Sequence, residues 1–303
     1  MLNVPVLLER LKAGIEAELA RRGGPALALY RSGAAAWRRL HDGRGRPGVR
    51  LRAALADGLV FRAIRRKIGP RLRALICGSA PLAPETQLYF RMLGFDVLQV
   101  YGLTETTAIC TMDIPGAAVP GAVGVAIDGI EMRLGERDEI LVRGPNLFAG
   151  YWNRPEATAE AVRDGWFHTG DRGEVDARGY WRILGRVKNL LVLASGHNVA
   201  PEPIEERLRQ AIPGAEHVVV VGHGRPFLVA LVSGRVAEAD VRRAVEAANR
   251  EAPHYRRVRA FHVLEEPLTV ASGLLTANGK VRREAVVARH AAVIERLYRE
   301  QAA

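Results

Sequence analysis

A chain of 303 residues, 48% hydrophobic and 25% charged, is long enough for one large or two ordinary domains and buries a sizeable core, which excludes intrinsic disorder. No run of 18 apolar residues occurs, so no membrane-spanning helix is predicted, and the charges within the opening apolar pattern argue against a secretory signal. Two cysteines, Cys77 and Cys110, support neither a disulfide framework nor a metal cluster, and a reducing cytoplasm is the expected compartment.

The net charge of +11 invites a nucleic-acid reading, but the excess is arginine, with lysine only at Lys12, Lys67, Lys188 and Lys280. Beside abundant Ala, Gly and Val, that bias reads as GC-rich coding, and no nucleic-acid partner is expected. Arginines at 38–39, 44, 46, 62, 65, 66, 71 and 73 crowd the first quarter. They leave open an anionic partner or peripheral contact with the inner face of a membrane.

In chain order, Leu7, Leu8, Leu11, Ile15 and Leu19 recur at helical spacing and predict an opening amphipathic helix. VRLRAALADGLVFRAIRRKIG predicts another, with the basic stretch HDGRGRPGVR read as the loop between them. That loop contains a literal G-x-G-x-x-G at Gly43, Gly45 and Gly48. No strand precedes it and a proline interrupts it, so a dinucleotide-binding turn is not expected.

Over 70–115, RLRALIC reads as a buried strand, GSAPLAPE as a turn into a helix through TQLYFRMLG, and FDVLQVY as a second strand. This is a parallel βαβ unit, whose ligand loops belong at the C-terminal ends of its strands. GSAPL and YGLTETT occupy those ends, side by side. Residues 120–185 alternate short apolar runs with Gly/Asp turns and predict a small antiparallel sheet or barrel. From 190 to 303 a helix from Glu202, strands HVVVVG and FLVALVS, helix AEADVRRAVEAANRE, strand VRAFHVL and a last helix after Lys280 describe a compact α+β domain. The expected division is therefore 1–185, a hinge at 186–189, and 190–303.

YGLTETT sets three threonines around one carboxylate, Glu105. Such a loop is either a polar helix start, since Thr and Glu are capping residues, or a set of donors and an acid arranged around phosphate. GSAPL is likewise either a strand-to-helix turn or a backbone left bare for a ligand. GLLTANGKV is no nucleotide P-loop: it has one residue too many between Gly273 and Gly279, and Val281 stands where Ser or Thr is required.

Taken in series, GSAPL, YGLTETT, GWFHTGD, YWRILGRVKN, SGHNVAPEPIE and LTANGKVRR resemble the adenylate-forming superfamily, in wording closest to bacterial long-chain fatty acid–CoA ligases. The resemblance covers nearly the whole chain, more loosely before residue 70. It implies an α/β plus α+β fold, a partial adenylate-forming fold: part of the large βαβ domain with an antiparallel sub-barrel, then a mobile C-terminal domain. It implies ATP, Mg2+ and coenzyme A as cofactors or co-substrates and a fatty acid or other carboxylic acid as substrate.

By that resemblance Gly78, Ser79 and Ala80 wrap the purine, Tyr101 stacks on adenine, and Gly102 with Thr104 completes the nucleotide site, Thr104 donating to the α-phosphate. Glu105 is a Mg2+ ligand, Asp171 binds the ribose hydroxyls, and Arg186 reaches the ribose or phosphate. Lys188 marks the hinge, next to Asn189, where relatives more often carry an acid. Gly196 leaves room for pantetheine. Lys280 touches the α-phosphate and the acid during adenylation, so catalysis falls to Lys280, Thr104 and Glu105. A turn aspartate at Asp171 and one surface arginine among many at Arg186 are the plainer readings.

The family's Ser/Thr/Gly-rich loop ending in Pro-Lys-Gly is not found; YRSGAAAW has neither the threonines nor the lysine. The expectation is a chain that begins inside the large domain and is inactive in adenylation by itself. Two function classes follow: an acid–CoA ligase or its C-terminal portion, and a non-catalytic remnant or AMP-site binding module.

Overall fold

The structure is a computed structural model describing residues 2–80 and 82–301. It divides into two compact units, one running to Thr169 with Gly173–Ile183, the other made of Gly170–Arg172 and the chain from Leu184. No helix among the described residues is long and apolar enough to cross a membrane.

The first unit opens with a short strand β1 (Leu2–Asn3) and two long helices, α1 (Pro5–Arg22) and α2 (Gly24–His41). Next comes α3 (Pro47–Ala56), continuous through one wide π-turn, Asp57–Phe61, with α4 (Arg62–Ile68). Then β2 (Ala74–Cys77), α5 (Pro84–Met92) and β3 (Asp96–Tyr101) form the expected βαβ unit. The strands β1, β2 and β3 are parallel, with Leu2 opposite Ile76 and Ile76 opposite Leu98. β4 (Thr111–Met112) and β5 (Val125–Ala126) extend this sheet antiparallel. Its core gathers Leu8, Phe61, Phe90, Leu93 and Phe95.

Two features of the helical segment before β2 depart from the sequence reading, as does α6 (Pro155–Ala161) within the stretch read as antiparallel sheet. Where only a basic loop was expected before α3, the 18-residue helix α2 intervenes, and the loop shrinks to 42–46. Pro25 in the first turn presets that helix. Gly33, which looks like a breaker, is needed because a Cβ there would lie 2.1 Å from the Ala56 Cβ on α3. The other departure is Leu7, which is exposed: the buried stripe of α1 is Leu8, Leu11, Ile15 and Leu19, and Leu7 lies off it.

Beneath the sheet, Asp113 is fully buried, and its Oδ2 accepts from the Gln99 N–H at 2.9 Å and from Gln87 Nε2 at 3.2 Å. Burial, opposed by those hydrogen bonds, pushes its carboxyl up to about 6 from the ordinary 3.8. A folded pKa above the unfolded one means that stability is lost as pH rises between the two values and stays lost above. A rise of this size corresponds to a loss of about 2–3 kcal/mol. Asp113→Asn removes the titration, so the stability gap between the variant and the parent should shift by about 2 kcal/mol between about pH 4 and about pH 7. Denaturant melts across that range check this; a gap independent of pH refutes it.

The second sheet comprises β6 (Glu131–Leu134), β7 (Glu139–Arg143), β8 (Val162–Arg163), β9 (Trp166–Val175) and β10 (Trp181–Arg186), with a short α6 (Pro155–Ala161) before β8. Its order is β10-β9-β7-β6, with β8 paired to β9. Ile140, Val142 and Trp181 close over Cys110.

In the second unit, β11 (Leu191–Val192) and β12 (Asn198–Val199) make a small hairpin before α7 (Glu202–Ala211). A three-stranded sheet follows: β13 (Ala215–Val221) antiparallel to β14 (Leu228–Gly234), then, after α8 (Glu238–Glu251), β15 (Val258–Val263) parallel to β14. α9 (Arg283–Arg289) and α10 (Ala291–Glu300) are the last helices among the described residues. Side chains alternate across a strand, so Val218 and Val220 face one apolar cluster with Leu208 and Val241, and Val219 and Val221 face another with Ile294 and Leu297. Burial on both faces is why HVVVV is continuously apolar.

Candidate functional site

In the first unit the GSA and YGLTETT loops leave the C-terminal ends of the adjacent strands β2 and β3. Gly78 and Ser79 of the first loop and Gly102 of the second line a cleft of about 400 Å³, together with Ala108, Val4 and Leu7. Pro81 of GSAPL lies outside the described residues. Both glycines are sterically required. A Cβ at Gly78 would meet Val100 Cγ2 at 2.7 Å, and one at Gly102 would meet the Ala108 carbonyl oxygen at 2.2 Å. Ser79 holds a left-handed φ of 72°, and Ser79 and Ala80 are exposed. A non-glycine residue in that conformation is strained, and such strain gathers at ligand clamps.

The three threonines after Tyr101 have different tasks. Thr106 is buried; its Oγ1 accepts from the Leu103 N–H at 2.8 Å and donates to the Leu103 carbonyl at 3.1 Å. Thr107 Oγ1 donates to the Asn146 carbonyl at 2.6 Å. These two brace the loop. Thr104 is exposed on a single 3-10 turn, Thr104–Thr106. Tyr101 is half-buried, packed on the Cys110–Trp181 cluster, with its carbonyl accepting from the Cys110 N–H at 2.8 Å.

Glu105 Oε1 accepts a 2.7 Å hydrogen bond from the Tyr151 hydroxyl. Tyr151 escapes sequence reasoning because it lies 46 positions downstream in a Gly-aromatic stretch with no pattern linking it to an acid. Its backbone N–H is held by Thr158 Oγ1 at 2.9 Å, so the phenol orients the carboxylate from a braced loop. No cluster of three His, Cys, Asp or Glu ligands exists among the described residues. One oriented carboxylate with ligand phosphate oxygens is the donor set that suits Mg2+, a hard ion that keeps most of its coordination for water and phosphate.

In the second unit, Arg186 Nη1 donates to Asp171 Oδ1 at 2.7 Å, and Asp171 is only 6% exposed. The two residues matched to ribose binding are thus an ion pair. Gly170, at φ +67°, makes room: a Cβ there would press to 3.2 Å from Arg186 Nη2. Lys188 is exposed on the turn Val187–Asn189. The Asn189 amide donates to Glu202 Oε1 at 2.7 Å, an arrangement that an acid at 189 would turn into carboxylate repulsion.

Gly196 has φ +81° in a turn closed by its N–H on the Leu193 carbonyl at 2.8 Å, and a Cβ there would meet nothing within 4 Å. Beside it, His197 stacks on Tyr255 at 4.4 Å, a pairing that no spacing in the sequence announces. Lys280 is exposed at the close of a hairpin, Leu275 bridged to Val281.

Residues 4–152 match the family model of AMP-binding enzymes, and residues 188–302 that of the AMP-binding enzyme C-terminal domain. The long-chain-fatty-acid–CoA ligase FadD15 of Mycobacterium tuberculosis is 34% identical over 99% of this chain and 55% of its own length. The chain therefore spans about half the length of the curated relatives it matches. Among solved structures, the adenylation domain of the carboxylate reductase of Mycobacterium chelonae superposes with a TM-score of 0.68 at 26% identity, over 98% of this chain and 46% of that one. ATP-bound MatB from Rhodopseudomonas palustris gives 0.57 at 31%, over 73% and 45%. The loops at the strand ends, the α+β second unit and both family models agree: the chain belongs to the AMP-binding, adenylate-forming enzyme family.

Proposed function

We propose that this protein serves ATP-dependent ligation of a fatty acid, or another carboxylic acid, to coenzyme A by way of an acyl-adenylate. The observation that carries the proposal is the cleft lined by Gly78, Ser79 and Gly102 at the strand ends, in the same loop as the oriented Glu105 carboxylate. In the first half-reaction a substrate carboxylate oxygen attacks the α-phosphorus of ATP and the bond to pyrophosphate breaks. In the second, the thiolate sulfur of coenzyme A attacks the acyl carbonyl and AMP leaves.

Bare backbone at Gly78 and Gly102 lets the base approach, and Tyr101 presents a ring to it. Thr104 offers a hydroxyl to the α-phosphate, and Lys280 a cation. Glu105 would hold Mg2+, which when bound would supply charge neutralisation at the phosphates. Asp171 accepts from the ribose hydroxyls with Arg186 beside it, Lys188 is the pivot for the second unit, and Gly196 leaves a path for the thiol. Acyl chains partition into bilayers, so cytoplasmic-side contact with a membrane surface belongs to the same proposal.

The test is calorimetric binding of a non-hydrolysable acyl-adenylate analogue to the 303-residue chain. Asp171→Ala removes one charged hydrogen-bond acceptor and should weaken binding by about 10- to 100-fold. Absence of binding, or equal binding by both proteins, overturns the site. Binding of the analogue with no thioester formed from preformed acyl-adenylate and coenzyme A favours the non-catalytic AMP-binding module instead.

A further inference from the structure

Leu51, Leu55 and Leu59 stand on the outer side of the α3–α4 rod at 62%, 48% and 67% exposure. Residues four apart share one helix face. The wide turn Asp57–Phe61 cancels part of the drift that four-residue steps build up in a 3.6-residue helix, and Ala56, Val60 and Phe61 take the core side. Three leucines in one row are thus left in solvent, although polar side chains there would cost the fold nothing.

Basic groups frame the row. Arg50 and Arg52 flank Leu51, Arg62 and Arg66 continue the face beyond Leu59, and all four are exposed. Between residues 38 and 67 ten Lys and Arg accompany two acids, Asp42 and Asp57. Asp57 is itself paired with Arg65 at 2.6 Å.

Leucines that can enter the acyl boundary, bordered by guanidinium groups on long stems that reach phosphates, are the two components of interfacial binding to anionic bilayers. A second copy of this chain would set like charge against like charge on this face. A nucleic acid would leave the leucines without a partner. We propose that the outer face of α3–α4 docks the protein on anionic lipid bilayers, Leu51, Leu55 and Leu59 inserting and Arg50, Arg52, Arg62 and Arg66 meeting the headgroups. This names the face for the membrane contact proposed above.

Flotation of the 303-residue chain with vesicles of phosphatidylcholine, and of phosphatidylcholine mixed with phosphatidylglycerol, tests it. Binding should need the anionic lipid and fall as salt rises. Replacing the three leucines together by glutamine (L51Q, L55Q and L59Q) should weaken binding by about tenfold or more, and R62Q with R66Q by about tenfold. Thermal melting should not change in either variant, since all five side chains are exposed. The proposal falls if the parent chain does not float, if the leucine variant floats as well as the parent, or if the parent forms a lipid-independent dimer that the leucine changes abolish. Acyl-adenylate analogue binding, measured on the same samples, reads the ligase proposal separately. Loss of flotation with nucleotide binding intact places the effect on this face alone.

Discussion

Lys280→Ala is expected to lower the rate of adenylate formation by about 10²–10³ in an active preparation of this protein, while thioester formation from preformed acyl-adenylate changes little. The size follows from removing one charge-assisted contact to a phosphorus centre as it gains negative charge. The selectivity follows from the place of Lys280 in the second unit, which the proposal lets turn about Lys188 once the adenylate exists. The surrounding hairpin is held by its backbone, not by the lysine side chain. The Lys280 N–H donates to Thr276 Oγ1 at 3.1 Å, and its carbonyl accepts from the Thr276 N–H at 2.8 Å.

Three residues on, Arg283 anchors the segment in the domain through Glu205 at 2.7 Å and the Val220 carbonyl at 2.8 Å. Truncating an exposed amine outside that framework should leave the melting curve unmoved. First-turnover pyrophosphate release reads the first half-reaction, and acyl-CoA formed from synthetic acyl-adenylate reads the second. Equal loss in both, or loss confined to the second, refutes the role.

Patterning carried the second unit well, because a strand buried on both faces must be apolar throughout and amphipathic helices must alternate around it. Val218–Val221 and Glu238–Glu251 are legible for that reason. α2 was not legible. Its Gly24 and Gly33 mimic a flexible linker, and the demand for Gly33 comes from Ala56 on another helix, a contact no local window contains. In the candidate site the loops were legible as strand ends bearing unusual residues. The partners were not: Tyr151 meets Glu105 across 46 positions, and Asp171 meets Arg186 across 15. Nor does a run of three threonines reveal that only Thr104 stays exposed without a bracing hydroxyl bond, while Thr106 and Thr107 brace the loop.

The cleft's geometry depends on Gly102, and Gly102→Ala should cost about 3 kcal/mol of stability. An added Cβ would sit 2.2 Å from the Ala108 carbonyl oxygen and 2.5 Å from the Ile109 Cα, both backbone atoms that no rotamer change can move aside. Ala108 already holds φ 90° and Thr107 φ 49°, so the segment has little conformational slack to give. Its neighbours are tied as well, the Cys110 N–H to the Tyr101 carbonyl at 2.8 Å and Asn146 Nδ2 to the Thr106 carbonyl at 3.0 Å. Gly196→Ala is the matched comparison: open space surrounds its Cβ, and only the φ of +81° opposes it, for a cost of about 1 kcal/mol. Thermal melts should therefore separate the two variants by several degrees. A Gly102→Ala protein that melts with the parent would show that the loop yields. The close backbone approach would then be no condition of the cleft, and the nucleotide site built on it would lose its rigid wall.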